Sequence, residues 1–315
     1  MKKALITISI VLAASTIGLL FSYFNWRSDK ILQLHADSLV LETIAGPVEY
    51  RQWGSSGKIF LFFHGTPGGF DQFKPFIYPG RPELRTLAVS RPGYLRTPIE
   101  TGETLEDQAK AYAAMLDALD IEEVVVMGVS GGGPAAISFA SEYPERTLGL
   151  VLGQAVSQPI GPGCVDDNVI FLDRVLQNDF FSWLMLKLTE RNPRILVNSL
   201  IQDESNRSRI LNDSTQVDRF IRLTESIQLP TLRQAGVTND ACNNVEFDLA
   251  VFDIEVPTLL IHGTQDTNVP YAFAEEFVES VPHANLVTIE GGDHYITYTH
   301  SDEYYKAIDE FVSRL

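Results

Sequence analysis

The chain has 315 residues, 45% of them hydrophobic, enough apolar material to bury a sizeable core as one α/β domain with an insertion or as two domains. Its 24 basic residues face 41 acidic ones, a net charge of −17, and no Lys/Arg cluster offsets it. Such a surface repels phosphate backbones, so nucleic acid is excluded as a partner.

Lys2 and Lys3 precede Ala4 to Trp26, a stretch without a charged residue. As a helix, Ala4 to Phe24 would span roughly 30 Å at about 1.5 Å per residue, which is bilayer length. A secretory signal cut near Ala13-Ala14-Ser15 is the competing reading. Thr16-Ile17-Gly18-Leu19-Leu20-Phe21 carries the apolar run past that point, so residues 1–26 read as an uncleaved transmembrane anchor. Lys2-Lys3 would keep the N-terminus in the cytoplasm, with Tyr23 and Trp26 at the far interface. The body then lies on the outer side, periplasmic or at the cell surface, or is secreted if the segment is cleaved. Cys164 and Cys242 are the two cysteines; in an exported chain they can be bridged, or they can be two unrelated buried thiols.

Beyond the anchor, Ser38 to Ile44 and Pro47 to Trp53 flank Ala45-Gly46 as an antiparallel hairpin. Lys58 to Phe63 is a continuous apolar run suited to a strand buried on both faces, and it empties into His64-Gly65-Thr66-Pro67-Gly68-Gly69. Thr86 to Val89 gives the next strand, followed by Ser90-Arg91-Pro92-Gly93-Tyr94. Thr104 and Asp107 form a capping box ahead of a helix with Leu105, Ala109, Tyr112, Leu116 and Leu119 at helical spacing. Val124 to Val129, a helix through Ala140 and a strand over Thr147 to Leu152 continue an alternation that means parallel pairing with helices on both faces.

The alternation stops at Gln154 and resumes near Val256. Helical stretches such as Val169 to Leu176 and Phe180 to Leu186 fill the interval, and about 100 residues without strand signal between sheet strands read as an inserted helical cap. The division is therefore anchor 1–26, first core segment 38–153, cap 154–255 and second core segment 256–315. The second segment holds a strand at Pro257 to Ile261, a helix over Tyr271 to Val281, a strand at Asn285 to Ile289 and a last helix that Ser301-Asp302-Glu303 would cap.

The chemistry gathers at Gly128-Val129-Ser130-Gly131-Gly132, where a β-branched run turns sharply into a helix. A serine lifted on such a turn sits at strained backbone angles, and small residues two positions either side avoid collision with neighbouring backbone. The Gly131 N–H at the helix start points at developing negative charge, and the Thr66 N–H supplies the second oxyanion donor from the glycine-rich loop. A serine hydroxyl needs a base, and His294, in Gly291-Gly292-Asp293-His294, follows the last strand. Asp266, after the preceding strand, fixes the imidazole tautomer. Asp293 reads as a loop residue, Asp253 lies at the wrong strand end, and His64 and His262 read as hydrogen-bonding partners of their turns. No His or Cys spacing points to a metal, and the reaction calls for no cofactor.

His64-Gly65-Thr66-Pro67-Gly68, Ser90-Arg91-Pro92-Gly93-Tyr94, the Ser130 elbow, His262-Gly263-Thr264-Gln265-Asp266 and His294 occur in an order that resembles the α/β-hydrolase superfamily from about Ser38 onward. Within it the chain is similar to the capped branch of proline iminopeptidases, epoxide hydrolases, dehalogenases and bacterial esterases. The resemblance implies a mostly parallel eight-stranded sheet, a Ser/His/Asp triad and hydrolysis through an acyl-enzyme. Ser130 stands where epoxide hydrolases and dehalogenases carry aspartate, and Leu95-Arg96-Thr97 replaces the Gly-x-Ser common after the tyrosine. Proline iminopeptidases bind the substrate amine with acidic cap residues, a role open to Glu204, Glu225 or Asp203. The expectation is a serine carboxylesterase for a small or medium ester, with an aminopeptidase or a non-catalytic binding protein as the alternatives.

Overall fold

The computed structural model describes residues 2–77, 85–161 and 177–315. Eight strands form one sheet in the order β1-β2-β4-β3-β5-β6-β7-β8: Leu39–Thr43, Gly46–Trp53, Phe60–Phe63, Thr86–Val89, Val124–Val129, Thr147–Gly153, Thr258–Gly263 and Ala284–Ile289 for β1 to β8. The β1–β2 and β2–β4 pairings are antiparallel and every other pairing is parallel. The hairpin and the parallel core are as the strand signals predict, except that the turn falls on Ile44-Ala45, one residue early, because Gly46 pairs with Thr43 as the first residue of β2.

The continuous apolar runs become central strands because alternate side chains serve opposite faces. Leu61 and Phe63 enter one core cluster with Val124, Val126, Leu150, Leu152 and Leu260. Phe60 and Phe62 enter the other with Val125, Met127, Val151, Leu259 and Ile261. Helices α2 (Leu105–Ala118) and α3 (Gly133–Glu142) cover the first face through Tyr112, Leu116, Ile137 and Phe139. The second face is covered by the last helix and by a 3₁₀ turn at Phe70–Phe76, whose Phe73 and Phe76 rings each lie 5.1 Å from Phe62. Burying a ring of that size contributes about 2–3 kcal/mol. At the start of α2, Thr104 accepts the Asp107 N–H, so the predicted cap is made.

Between β6 and β7 the described residues are helical, comprising α4 (Asp179–Arg191), α5 (Pro193–Leu200), α6 (Glu204–Leu211), α7 (Ser214–Glu225) and α8 (Gln234–Glu246). Val169 to Leu176 and Cys164 lie outside the described residues; among those described, no cysteine is a free thiol. Helices α9 (Ala272–Ser280), α10 (Ile296–Thr299) and α11 (Ser301–Val312) complete the chain. Ser301 is the first residue of α11 and not its cap: its hydroxyl donates back to Thr297 and Tyr298 carbonyls.

The N-terminal helix differs most from expectation. α1 runs unbroken from Lys2–Asp37, well past Trp26, and Leu5–Asp37 is long and apolar enough to cross a membrane. Tyr23 is buried against the body, with its ring 5.2 Å from Phe180 and 5.6 Å from Trp183 of α4, and Arg27 pairs with Asp179 at 2.9 Å. Both aromatics expected at the lipid interface lie against the body instead, Trp26 being half-buried with its ring 6.4 Å from Tyr23 and 6.3 Å from Trp183. Tyr23 packs on protein because the helix continues as a docked segment, with Leu34 also buried.

Candidate active site

Because β3, β5, β7 and β8 run parallel, the loops leaving their carboxyl ends emerge on one edge of the sheet. Four sequence-distant segments meet there. Ser130 leaves β5 at φ 49°, a left-handed conformation rare for a residue with a side chain. The flanking glycines tolerate this turn: a Cβ on Gly128 would come within 2.6 Å of Ala136 Cβ, and one on Gly132 would strike the carbonyls of Phe63 and His64. The Val156 N–H donates to the Ser130 carbonyl at 2.9 Å and ties the elbow to the segment that follows β6.

His294, beyond β8, brings Nε2 within 3.1 Å of Ser130 Oγ and Nδ1 within 2.8 Å of Asp266 Oδ2. Asp266 is held by its own turn, with Oδ1 accepting the N–H groups of Asn268 at 2.8 Å and Val269 at 2.9 Å. A further imidazole, His262 Nε2, lies 3.2 Å from Asp266 Oδ2 and 3.0 Å from the Val269 carbonyl. Burial pushes the Asp266 carboxyl up, but hydrogen bonds from His262 and His294, the charge of His294 and the Val269 N–H outweigh it. The group is held well below the usual carboxylate range. This arrangement can draw a proton from a serine hydroxyl onto an imidazole and stabilise the resulting imidazolium.

Thr66 faces the elbow: a Cβ on Gly131 would lie 3.3 Å from the Thr66 nitrogen, so the two residues abut beside Ser130. The loop carrying Thr66 is pinned from three sides. Gln72 Oε1 accepts the Gly65 N–H at 2.6 Å, Asp240 of α8 accepts the Thr66 hydroxyl, and Arg233 donates to the Gly68 carbonyl. His64 accepts the Arg91 N–H on Nε2 at 3.0 Å and donates from Nδ1 to the Gly65 carbonyl at 2.8 Å. Burial, with the Arg91 charge beside it, lowers its pKa well below the ordinary histidine value, so the ring is neutral. It serves the turn, as does Asp293, which accepts the Tyr295 N–H.

A cavity of about 210 Å³ opens over Ser130 and His294. Leu196, Leu200, Leu223 and Ile227 of the helical segment form its roof, while Gln154, Asn268 and Thr224 supply neutral polar groups. Among the described residues no carboxylate lines it. Asp203 lies in an adjoining cavity and accepts the Asn206 N–H as the cap of α6; Glu204 is exposed. Leu95, Arg96 and Thr97 do not line the cavity: Arg96 turns away to Glu49, 2.7 Å distant. Among the described residues, no group of three or more His, Cys, Asp or Glu side chains is placed to hold a metal ion.

Sequence reasoning missed Gln72, Gln154, Asp240 and the contact of His262 with Asp266. Gln72, Gln154 and Asp240 sit in no motif, although the strand–helix alternation ends at Gln154; His262 and Asp266 stand four residues apart in one motif, where His262 reads only as a partner of its turn.

A family model described as alpha/beta hydrolase fold matches residues 58–301, most of the chain. The chain belongs to the α/β-hydrolase family. Its relatives include the uncharacterized hydrolase YcgS of Bacillus subtilis, 40% identical over 123 residues, which are 38% of this chain and 42% of that protein. A 2-hydroxy-6-oxononadienedioate/2-hydroxy-6-oxononatrienedioate hydrolase of Burkholderia vietnamiensis is 24% identical over 85% of this chain and 91% of its own. Among solved structures, an α/β-hydrolase fold protein from Nakamurella multipartita superposes with a TM-score of 0.74 at 26% identity, covering 87% of this chain and 97% of that one. A Thermogutta terrifontis esterase shares the fold, with a TM-score of 0.60 at 20% identity over 88% of this chain and 98% of its own.

Proposed function

We propose that this α/β-hydrolase is a serine carboxylesterase, held at a membrane by α1, with its catalytic body on the outer side. Ser130 Oγ attacks the ester carbonyl while His294 Nε2 takes its proton, and the Thr66 and Gly131 N–H groups receive the oxyanion. His294 returns the proton to the departing alkoxide, which leaves an acyl-Ser130. Water, deprotonated by His294, then releases the acid and restores the serine. Asp266 holds the imidazole in the tautomer with Nδ1–H and stabilises it when charged.

The observation that carries the reading is the 3.1 Å approach of His294 Nε2 to Ser130 Oγ at the floor of a cavity with an aliphatic roof. Among the described residues the lining of that cavity holds no carboxylate to pair with the ammonium of a peptide's free amine, which favours an ester. Fluorophosphonate labelling of the full chain in detergent, compared with Ser130→Ala, tests the nucleophile. A panel of acyl esters set against proline arylamides tests the substrate class, and faster turnover of the arylamides would replace the esterase reading.

A further inference from the structure

We infer that the outward face of α4 and α5 rests on the lipid bilayer beside the point where α1 enters it, and that ester substrates reach Ser130 from that surface. The inference rests on reading α1 as a membrane anchor, and it narrows the substrate class to esters dissolved in lipid.

On α4, Phe181, Met185 and Leu188 recur at helical spacing and are 42%, 46% and 41% exposed, while Trp183, Leu186 and Thr189 on the other side are buried. α5 continues the apolar surface with Ile195 and Leu200, 40% and 41% exposed. The inner faces of both helices already pack on the body, so this outer strip needs a separate occupant.

Three observations identify that occupant as lipid. The first is continuity. The apolar window of α1 has 0% of its residues buried, and the helix first meets the body at Tyr23, whose ring touches Phe180 and Trp183; Phe181 lies 5.7 Å from Phe180. The strip therefore starts where the span ends. The second is charge. On α4 and α5, Asp179 pairs with Arg27 and Glu190 with Lys187 at 2.8 Å, which leaves Arg191 and Arg194 as exposed cations, in a chain with 24 basic and 41 acidic residues. An apolar face flanked by cationic side chains suits a bilayer interface with anionic headgroups. The third is access. Leu200, at the end of the strip, also lines both the cavity over Ser130 and the one adjoining it. An ester held in the outer leaflet would thus meet the cavity rim without crossing water.

The test uses the full chain reconstituted in phosphatidylcholine–phosphatidylglycerol vesicles, with a bimane fluorophore at Met185→Cys or, as control, at Ile44→Cys on the β1–β2 turn. A nitroxide carried on the lipid chains should quench the label at position 185 about threefold more strongly than at 44. Equal quenching overturns the inference, as does shielding of position 185 from a water-soluble quencher without lipid quenching, which would mean a protein partner. In a second arm, the variant Phe181→Ser/Met185→Ser/Leu188→Ser should hydrolyse a long-chain ester dissolved in the vesicles about tenfold more slowly, with a water-soluble short ester unaffected. Equal rates on both esters for variant and parent overturn the lipid route. If the chain fails to float with vesicles, the anchor reading falls together with the inference; if it floats while position 185 stays in water, the inference alone falls. The quenching arm needs no catalysis, so loss of the esterase reading leaves it decisive.

Discussion

Asp240 accepts hydrogen bonds from both terminal nitrogens of Arg91, with Nη2 2.6 Å from Oδ2, and the two side chains are 5% and 3% exposed. One partner stands on α8 and the other after β4, so the pair joins the helical segment to the sheet. Tyr94 and Thr66 donate to the same carboxylate, which places it directly behind the loop that borders the elbow.

Removing one partner of this pair leaves a buried charge unmatched. Asp240→Asn should lower stability by about 3–5 kcal/mol, read from denaturant unfolding, and should lower kcat as well because Thr66 loses its tether. Tyr94→Phe, which deletes one donor and no charge, should cost about 1 kcal/mol. Equal stability of Asp240→Asn and parent would show that water enters the site.

Ser130→Ala should lower kcat by about 10⁴-fold or more and abolish fluorophosphonate labelling, with the thermal unfolding transition retained. Residual turnover within tenfold of the parent would require another nucleophile.

Asp266→Asn should lower kcat by about 10³–10⁴-fold, because the amide no longer selects the tautomer that puts the free nitrogen toward Ser130. His262→Phe removes the contacts of Nε2 with the same carboxylate and with the Val269 carbonyl. Its effect on kcat should be smaller, about tenfold, and KM should be unchanged.

His64 gives a pH dependence of stability. Its pKa is lowered in the fold, chiefly by burial and then by Arg91, so below about pH 6.5 the unfolded chain binds a proton that the native chain refuses. Stability is fully present above that pH and is lost as pH falls, by up to about 1.4 kcal/mol per pH unit. Unfolding free energies measured from pH 7 to pH 5 should show this slope, and His64→Gln should reduce it to the part that His300, whose pKa burial also lowers, contributes.

Much of the site was legible because its chemistry follows strand ends. Ser130 announces itself through flanking glycines that only a tight turn requires. Asp266 and His294 were identifiable because each follows a buried apolar run and a parallel sheet delivers all such loops to one edge. His64 and Asp293 likewise read as turn residues from their positions, and their hydrogen bonds agree. The extent of α1 was not legible. Arg27, Asp29 and Lys30 mark the end of an apolar run, and charge alone does not say whether a helix stops or goes on along a protein surface.

By itself the sequence determined the alternation of strands and helices, the elbow and the placing of Ser130, Asp266 and His294 after successive strands, because these depend on hydrophobic period and local backbone sterics. Only the tertiary structure decided that Asp240 and Gln72 brace the Thr66 loop, that His262 shares the Asp266 carboxylate, and that Tyr23 lies under α4. Asp240 stands 174 residues from Thr66 along the chain. A contact of that kind has no local period or turn chemistry to record it, since the hydrogen bond exists only once the helical segment has closed over the sheet.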